Sequence, residues 1–346
     1  MKPKCSTMTL LPLAVLLLAN IPIETKVVRS MADCADFFLE QTPPNVPGIL
    51  EGGNILDHNR YKPICQTFKN NRIFVTLYDA HNKIPVFSAA KYRGNNGKRP
   101  TTKWKIEPQL ENIHGGDNMS PAKNDITYKY QAGNTDYKNN QSFDRGHLFP
   151  SSYGFTEDDR KSTFTLTNIV PQKHQFNAGS WNKMEQCIKC VLDKYCISNN
   201  NKTEGFVVIG AQPSNNNILN NKINIPDMLW SAFCCYSSTQ GRWLASAHWG
   251  ENTESDNTYL QTKTLEELHM ELGGQFEVFP GTQCPLSTTV TEFYPNIDQG
   301  LGQKTCHCSP LTLSSSASPT TTFTDLVLYL CLVLSHLILR PPYSLS

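Results

Sequence analysis

The chain has 346 residues, 39% of them hydrophobic, with five Trp and 31 basic residues set against 30 acidic. That is enough apolar material for a real core in one large domain plus signals, or in two modest domains. The near-balanced charge excludes a globally electropositive surface, so any polyanion must be held by local Arg and Lys or through a metal ion.

In chain order, Lys2 and Lys4 precede an apolar run from Leu10 to Leu18 that continues loosely to Ile23. A short basic region before an apolar stretch too short to span a bilayer reads as a secretory leader, taken here as residues 1–25. Of twelve Cys, Cys5 falls in this leader and Cys331 in a C-terminal apolar tail, which leaves ten between them. An even number is what a disulfide framework in an oxidising compartment requires. Asn118, Asn140 and Asn201 each open an Asn-x-Ser/Thr sequence and are candidate glycan sites. The expected location is therefore secreted or at the extracellular surface.

Residues 73–78 are rich in β-formers and 85–92 return as a second strand after turn chemistry at 79–83, which predicts a hairpin. Residues 93–142 are polar, rich in Asn, Gly and Pro, and read as largely irregular around Trp104-Lys-Ile-Glu-Pro. Further strands are expected over 206–210, 228–236 and 243–249. Trp181, Met184, Ile188, Val191, Leu192 and Tyr195 recur at helical spacing, with Gly179-Ser180 as the expected cap. A second helix over 264–272 should stop at Gly273-Gly274. Strands and helices without regular alternation point to an α+β fold with a central antiparallel sheet, stabilised by disulfides.

From Leu311 the composition changes to a Ser/Thr-rich spacer over 311–325 and an apolar tail over 326–339. Fourteen apolar residues fall short of the roughly 17–25 that a transmembrane helix needs. They suit the order of a GPI-attachment signal, although the polar ending departs from it and a single-pass anchor is the alternative. Membrane attachment through this tail is thus an expectation.

The stretch 144–185 carries the chemistry. His147, in Asp144-Arg-Gly-His147, has a side chain suited to general-base work near neutral pH. Arg145 offers a forked donor for phosphate oxygens. Asn168, in Thr167-Asn-Ile-Val-Pro-Gln172, is a neutral donor, while Asn177 and Glu185 are oxygen ligands for a hard cation. On an ideal helix the eight steps from Asn177 to Glu185 turn ~800°, about 80° off one face. That geometry expects Asn177 at or before the helix start as direct ligand, with Glu185 reaching the ion's waters.

These ordered segments resemble the DNA/RNA nonspecific endonuclease family with the ββα-metal core, over about residues 60–275. The resemblance implies His147 as general base, Arg145 on phosphate and Asn168 as a transition-state donor. It further implies one hydrated Mg²⁺ (Mn²⁺ as an alternative) held by Asn177 and Glu185, with DNA and RNA as substrates cut to 5′-phosphates. One departure stands out. Where the family has a further Arg near the Trp-Lys segment, Lys103 adjoins Trp104 and Arg99 is the nearest Arg, so both are candidate substrate-binding residues. A Lys keeps the charge and loses the bidentate fork.

Other readings compete. Cys187-x2-Cys190 and Cys306-His-Cys308 look like metal half-sites, yet disulfides suit an exported chain better. Residues 276–310 read as a cysteine-containing extension. The rival to an extracellular metal-dependent endonuclease is a catalytically silent, glycosylated surface or secreted protein that keeps the fold for binding.

Overall fold

Val207, Val208 and Ile209 are successive apolar residues, which an extended strand must turn to alternate sides. In the computed structural model, which describes residues 26–95, 97–138, 142–254 and 259–293 with Cys306 and Cys308, both sides are covered. The chain divides into two compact units, 1–311 and 312–346, and the described residues all fall in the first. The leader, Asn140, the spacer and the apolar tail lie outside the described residues.

In chain order the principal elements begin with β1 (Tyr61–Phe68), β2 (Asn71–Asp79), β3 (Ile84–Tyr92), β4 (Phe143–His147), α1 (Glu157–Ser162) and β5 (Ile169–Lys173). They continue with α2 (Asn182–Tyr195), β6 (Gly205–Gln212), β7 (Met228–Ser237), β8 (Arg242–Glu251) and α3 (Leu265–Glu271). Six strands form the central sheet in the order β8-β7-β6-β3-β2-β1, every neighbouring pair antiparallel. The predicted hairpin is β2–β3, and the three later strands are β6, β7 and β8. Sequence patterning missed β1, where Pro63 and Gln66 break the alternation. Its place explains the tolerance: β1 ends the six-stranded sheet, and Pro63 needs no ladder N–H while its carbonyl accepts from Val28 N–H at 3.0 Å.

One sheet face packs Val207, Ile209 and Phe233 against Trp181, Met184, Ile188 and Leu192 of the helical layer. The other packs Val208, Trp230 and Ala232 against Met31, Phe38, Leu265 and Phe276. Residues 26–59 and 276–293 are therefore built into the same sheet packing as the central region. α3 starts at a Thr264 capping box and stops where Gly273 takes φ +94°.

All ten expected cysteines pair: Cys34–Cys65, Cys187–Cys308, Cys190–Cys306, Cys196–Cys235 and Cys234–Cys284. The disulfide reading thus holds for both metal-like cysteine patterns. Cys234 and Cys235 adjoin in β7 and serve opposite faces, one bridging to Cys284 and the other to Cys196.

The expected cap at Gly179-Ser180 is corrected. Helical winding begins at His174, and Asn177–Trp181 forms a π-helical turn that leads directly into α2, with Gly179 departing from helical angles at φ −98°, ψ −106°. The side chains at 181–195 still face the core at helical spacing, so the periodicity was sound and only the start was misplaced.

Candidate active site

β4 and β5 form a two-stranded antiparallel pair in which Asp144 faces Gln172, Gly146 faces Val170 and His147 faces Ile169. Period-2 alternation sends Arg145 and His147 to one side and Asp144 to the other. The glycine between them is set by close approach. A Cβ on Gly146 would lie 2.0 Å from the Gln172 side-chain oxygen.

The outward pair opens on a cleft of roughly 350 Å³ whose walls include Gly97, Arg99, Arg145, His147, Asn177 and Glu185. Two aromatic rings pack against its Arg and His side chains. Trp104 lies 5.3 Å beneath the Arg145 guanidinium and 5.4 Å from the His147 ring. Phe164 lies 4.9 Å beneath Arg99 and meets His147 edge-on at 4.8 Å. Stacking on ring faces holds both guanidinium groups, and Arg145 Nη2 also reaches the Asn134 carbonyl at 3.5 Å. Neither ring was singled out as functional in the sequence. The one signal was Trp104 beside the Lys-Ile-Glu-Pro stretch, and Phe164 gave none.

His147 is buried, and its Nε2 has no hydrogen-bond partner among the described residues. Burial, reinforced by the positive charges of Arg99 and Lys105, lowers its pKa to about 3. The imidazole is therefore neutral across the physiological range and has a lone pair to offer. Lys105 was also missed. Its ammonium is threaded onto the carbonyls of Lys103 and Lys161, and burial lowers it to about 8.

Asn177 and Glu185 meet the same cleft, against the expectation for an ideal helix. The π-helical turn between them takes up one residue, so the eight steps act as roughly seven, or ~700°, within about 20° of two full turns. Asn177 donates from Nδ2 to Asp144 Oδ2 at 2.8 Å, which turns the amide oxygen away from that carboxylate. His174 Nδ1 shares the same Asp144 oxygen at 3.0 Å. Asp144 thus orients the Asn177 amide. Glu185 keeps some accessible surface, yet the enclosure of its carboxyl raises its pKa to about 8, opposed by the Arg99 charge and the nearby Trp181 indole. A carboxyl held this way calls for a proton or a cation. The donor set is an amide oxygen and a carboxylate, and among the described residues no three His, Cys, Asp or Glu gather as a metal cage. Few hard oxygen donors fit an ion that keeps most of its waters, such as Mg²⁺.

Two sequence candidates fall elsewhere. Asn168 is fully buried and its carboxamide is saturated. Nδ2 donates to the carbonyls of Phe149 at 2.9 Å and Thr163 at 3.0 Å, while Oδ1 accepts from Ser88 Oγ at 2.9 Å and Phe149 N–H at 3.0 Å. It clamps the chain leaving His147 and does not line the cleft, so the expectation of a transition-state donor is corrected to that of a support. Lys103 is exposed and does not line the cleft, whereas Arg99 does. Of the glycan candidates, Asn201 lies exposed in a turn at φ 59°, and Asn118 is half-buried with its amide paired to Asn70 at 2.7 Å.

A buried polar chain underlies the site. Lys26 and Glu107 form a fully buried ion pair. Glu107 Oε1 accepts from Thr165 at 2.7 Å and Thr167 at 3.3 Å. Thr167 accepts in turn from Gln66 Nε2 at 2.9 Å, and Gln66 reaches Thr76 at 3.2 Å, which leads through Ser88 to Asn168.

Residues 52–277 match the family model for DNA/RNA non-specific endonuclease. Endonuclease domain-containing 1 protein of Homo sapiens is 27% identical over 209 residues, 59% of this chain and 39% of the relative. Its Mus musculus counterpart is 28% identical over 239 residues, 67% of this chain and 44% of the relative, so the chain spans less than half of either. A nuclease of Serratia marcescens is 25% identical over 177 residues, 50% of this chain and 60% of the relative. Among solved structures, the EndoG/EndoGI complex matches at 18% identity with a TM-score of 0.46, covering 63% of this chain and 88% of that one.

Proposed function

The chain belongs to the DNA/RNA non-specific endonuclease family, and on that premise we propose that the 144–185 cleft hydrolyses phosphodiester bonds in DNA and RNA outside the cytosol. The observation that carries this reading is the neutral imidazole of His147 in a cleft shared with two stacked guanidinium groups and two oxygen donors.

His147 removes the proton from a water that attacks phosphorus. A base with its pKa lowered to about 3 is a poor proton acceptor on its own. A phosphate dianion-like transition state beside it raises its basicity as charge builds up, so proton transfer and attack are favoured together. Arg145 and Arg99 donate to the non-bridging oxygens as they gain charge, pre-positioned on their rings so that little reorganisation is needed. Asn177 and Glu185 would hold one hydrated Mg²⁺ or Mn²⁺, with Asp144 orienting Asn177. Bound there, the ion supplies Lewis-acid stabilisation of the leaving oxygen. Asn168 keeps the backbone at Phe149 in place. Contacts of this kind address phosphates and carry no base information, which supports nonspecific cutting.

Export is supported by five disulfides and by the leader-like N-terminus. The function is tested by purified protein on plasmid DNA and on RNA, with Mg²⁺ or EDTA, beside His147→Ala. The wild type should cut both substrates only with the metal, and the variant should be slower by about 10²–10⁴-fold. Activity equal in wild type and variant, or absent from both, sinks the mechanism.

A further inference from the structure

Arg99 is an exposed residue in an irregular segment, yet the site needs its guanidinium held over Phe164. Asn95, four residues earlier, is buried, and all its polar groups except its backbone N–H are visibly committed. Its Oδ1 accepts from Gly97 N–H at 2.6 Å and from Arg160 Nη1 at 3.2 Å. Its Nδ2 donates to the Ser152 carbonyl at 2.6 Å, and its own carbonyl accepts from Lys189 Nζ at 3.0 Å. One asparagine therefore joins the Arg99 segment to the chain after β4, to α1 and to α2, where Lys189 stands one helical turn beyond Glu185.

Arg160 completes the clamp. It is buried without a carboxylate partner among the described residues, and its Nη1 also reaches the carbonyls of Gly154 at 3.4 Å and Phe155 at 3.1 Å. Gly97 rests directly against it: a Cβ there would fall 2.1 Å from the guanidinium carbon. Glycine is required because the guanidinium occupies the space a side chain would take. A buried, uncompensated cation is costly, and its use here is a planar fork that fixes the main chain two residues before Arg99.

We propose that Asn95, locked by Arg160, is the positioning residue that sets Arg99 in the cleft, a role that rests on the nuclease reading of that cleft. Arg99 contributes in proportion to how well it is pre-placed. Releasing the clamp leaves the guanidinium present and badly aimed.

The test is a double-mutant cycle on Asn95→Ala and Arg99→Ala, read first by cleavage with Mg²⁺ and then by anisotropy of a labelled oligonucleotide in EDTA. Asn95→Ala should lower kcat about tenfold with little change in KM, the scale of a lost hydrogen bond to a charged group. Asn95→Asp keeps the acceptor for Gly97 and Arg160, loses the donor to the Ser152 carbonyl and should recover part of the loss, which also covers the case where the alanine variant folds poorly. In the Arg99→Ala background, Asn95→Ala should add less than about twofold. Losses that multiply, in cleavage or in binding, overturn the positioning role while leaving the nuclease reading intact. Wild-type protein that binds and never cuts removes the nuclease reading and, with it, the aim assigned to Arg99. Protein that neither binds nor cuts overturns both.

Discussion

Replacing Lys26 by Met removes one half of the fully buried Lys26–Glu107 pair and leaves a carboxylate with only two threonine hydroxyls for company. The cost has a ceiling, because Glu107 can take up a proton instead of staying charged. From an unfolded-state pKa of about 4.3, protonation at pH 7 costs ~3.7 kcal/mol, and at pH 5 about 1 kcal/mol, at 1.36 kcal/mol per unit. The sign follows from linkage. In the variant, the folded-state pKa of Glu107 lies above its unfolded value, so its contribution is intact below about pH 4.3 and stability is lost as pH rises. Urea denaturation of Lys26→Met beside wild type should therefore show a deficit that grows from pH 5 to pH 7 at close to 1.4 kcal/mol per unit. The histidine contributions to acid sensitivity are common to both proteins and cancel in the difference. A deficit that does not vary with pH, or one well above ~4 kcal/mol at pH 7, refutes the uncompensated carboxylate as its cause.

Two further outcomes follow from buried groups and crosslinks. His147 and His248 are both held to about 3, mainly by burial, so folding weakens as pH falls from about 6.5 towards 3, where the unfolded chain binds protons that the native state refuses. His248→Gln should remove roughly half of that acid slope in denaturation series run between these limits; an unchanged slope assigns acid lability elsewhere. The Cys187–Cys308 and Cys190–Cys306 bridges close nearly the same loop, with separations of 121 and 116 residues. Cutting either alone should cost ~1 kcal/mol, whereas Cys187→Ser with Cys190→Ser should cost about 4–5 kcal/mol, so additive losses in thermal melts would refute a shared loop.

What the sequence disclosed was what local chemistry can encode. Asp144-Arg-Gly-His147 places an imidazole and a guanidinium fork two residues apart, and any extended strand puts them on one side. Hydrophobic period fixed β2, β3, β6, β7 and α2 well, because those residues answer to a core on a known repeat. Asn168 was misread because an asparagine that donates to substrate and one that clamps backbone are the same letter; only its total burial and four filled hydrogen bonds separate them. The alignment of Asn177 with Glu185 was invisible for a different reason. A π-helical turn is a choice made by tertiary packing, and ideal helix arithmetic assumes it away. The choice between Arg99 and Lys103 likewise required knowing which segment folds back over Phe164. Lys26 gave no sign at all, since a lysine beside a leader reads as solvated until its partner is found at Glu107.

The neighbouring cysteines of β7 also bear on how the chain finds its register. In an antiparallel sheet a slip of one residue exchanges the faces of every side chain in the strand. With Cys234 bridged to Cys284 on one side and Cys235 to Cys196 on the other, a slipped β7 would present each sulfur to the wrong partner. Neither native bond could close. Oxidation at Cys234 and Cys235 is thus compatible with one register of β7 alone, the one in which the sheet is aligned.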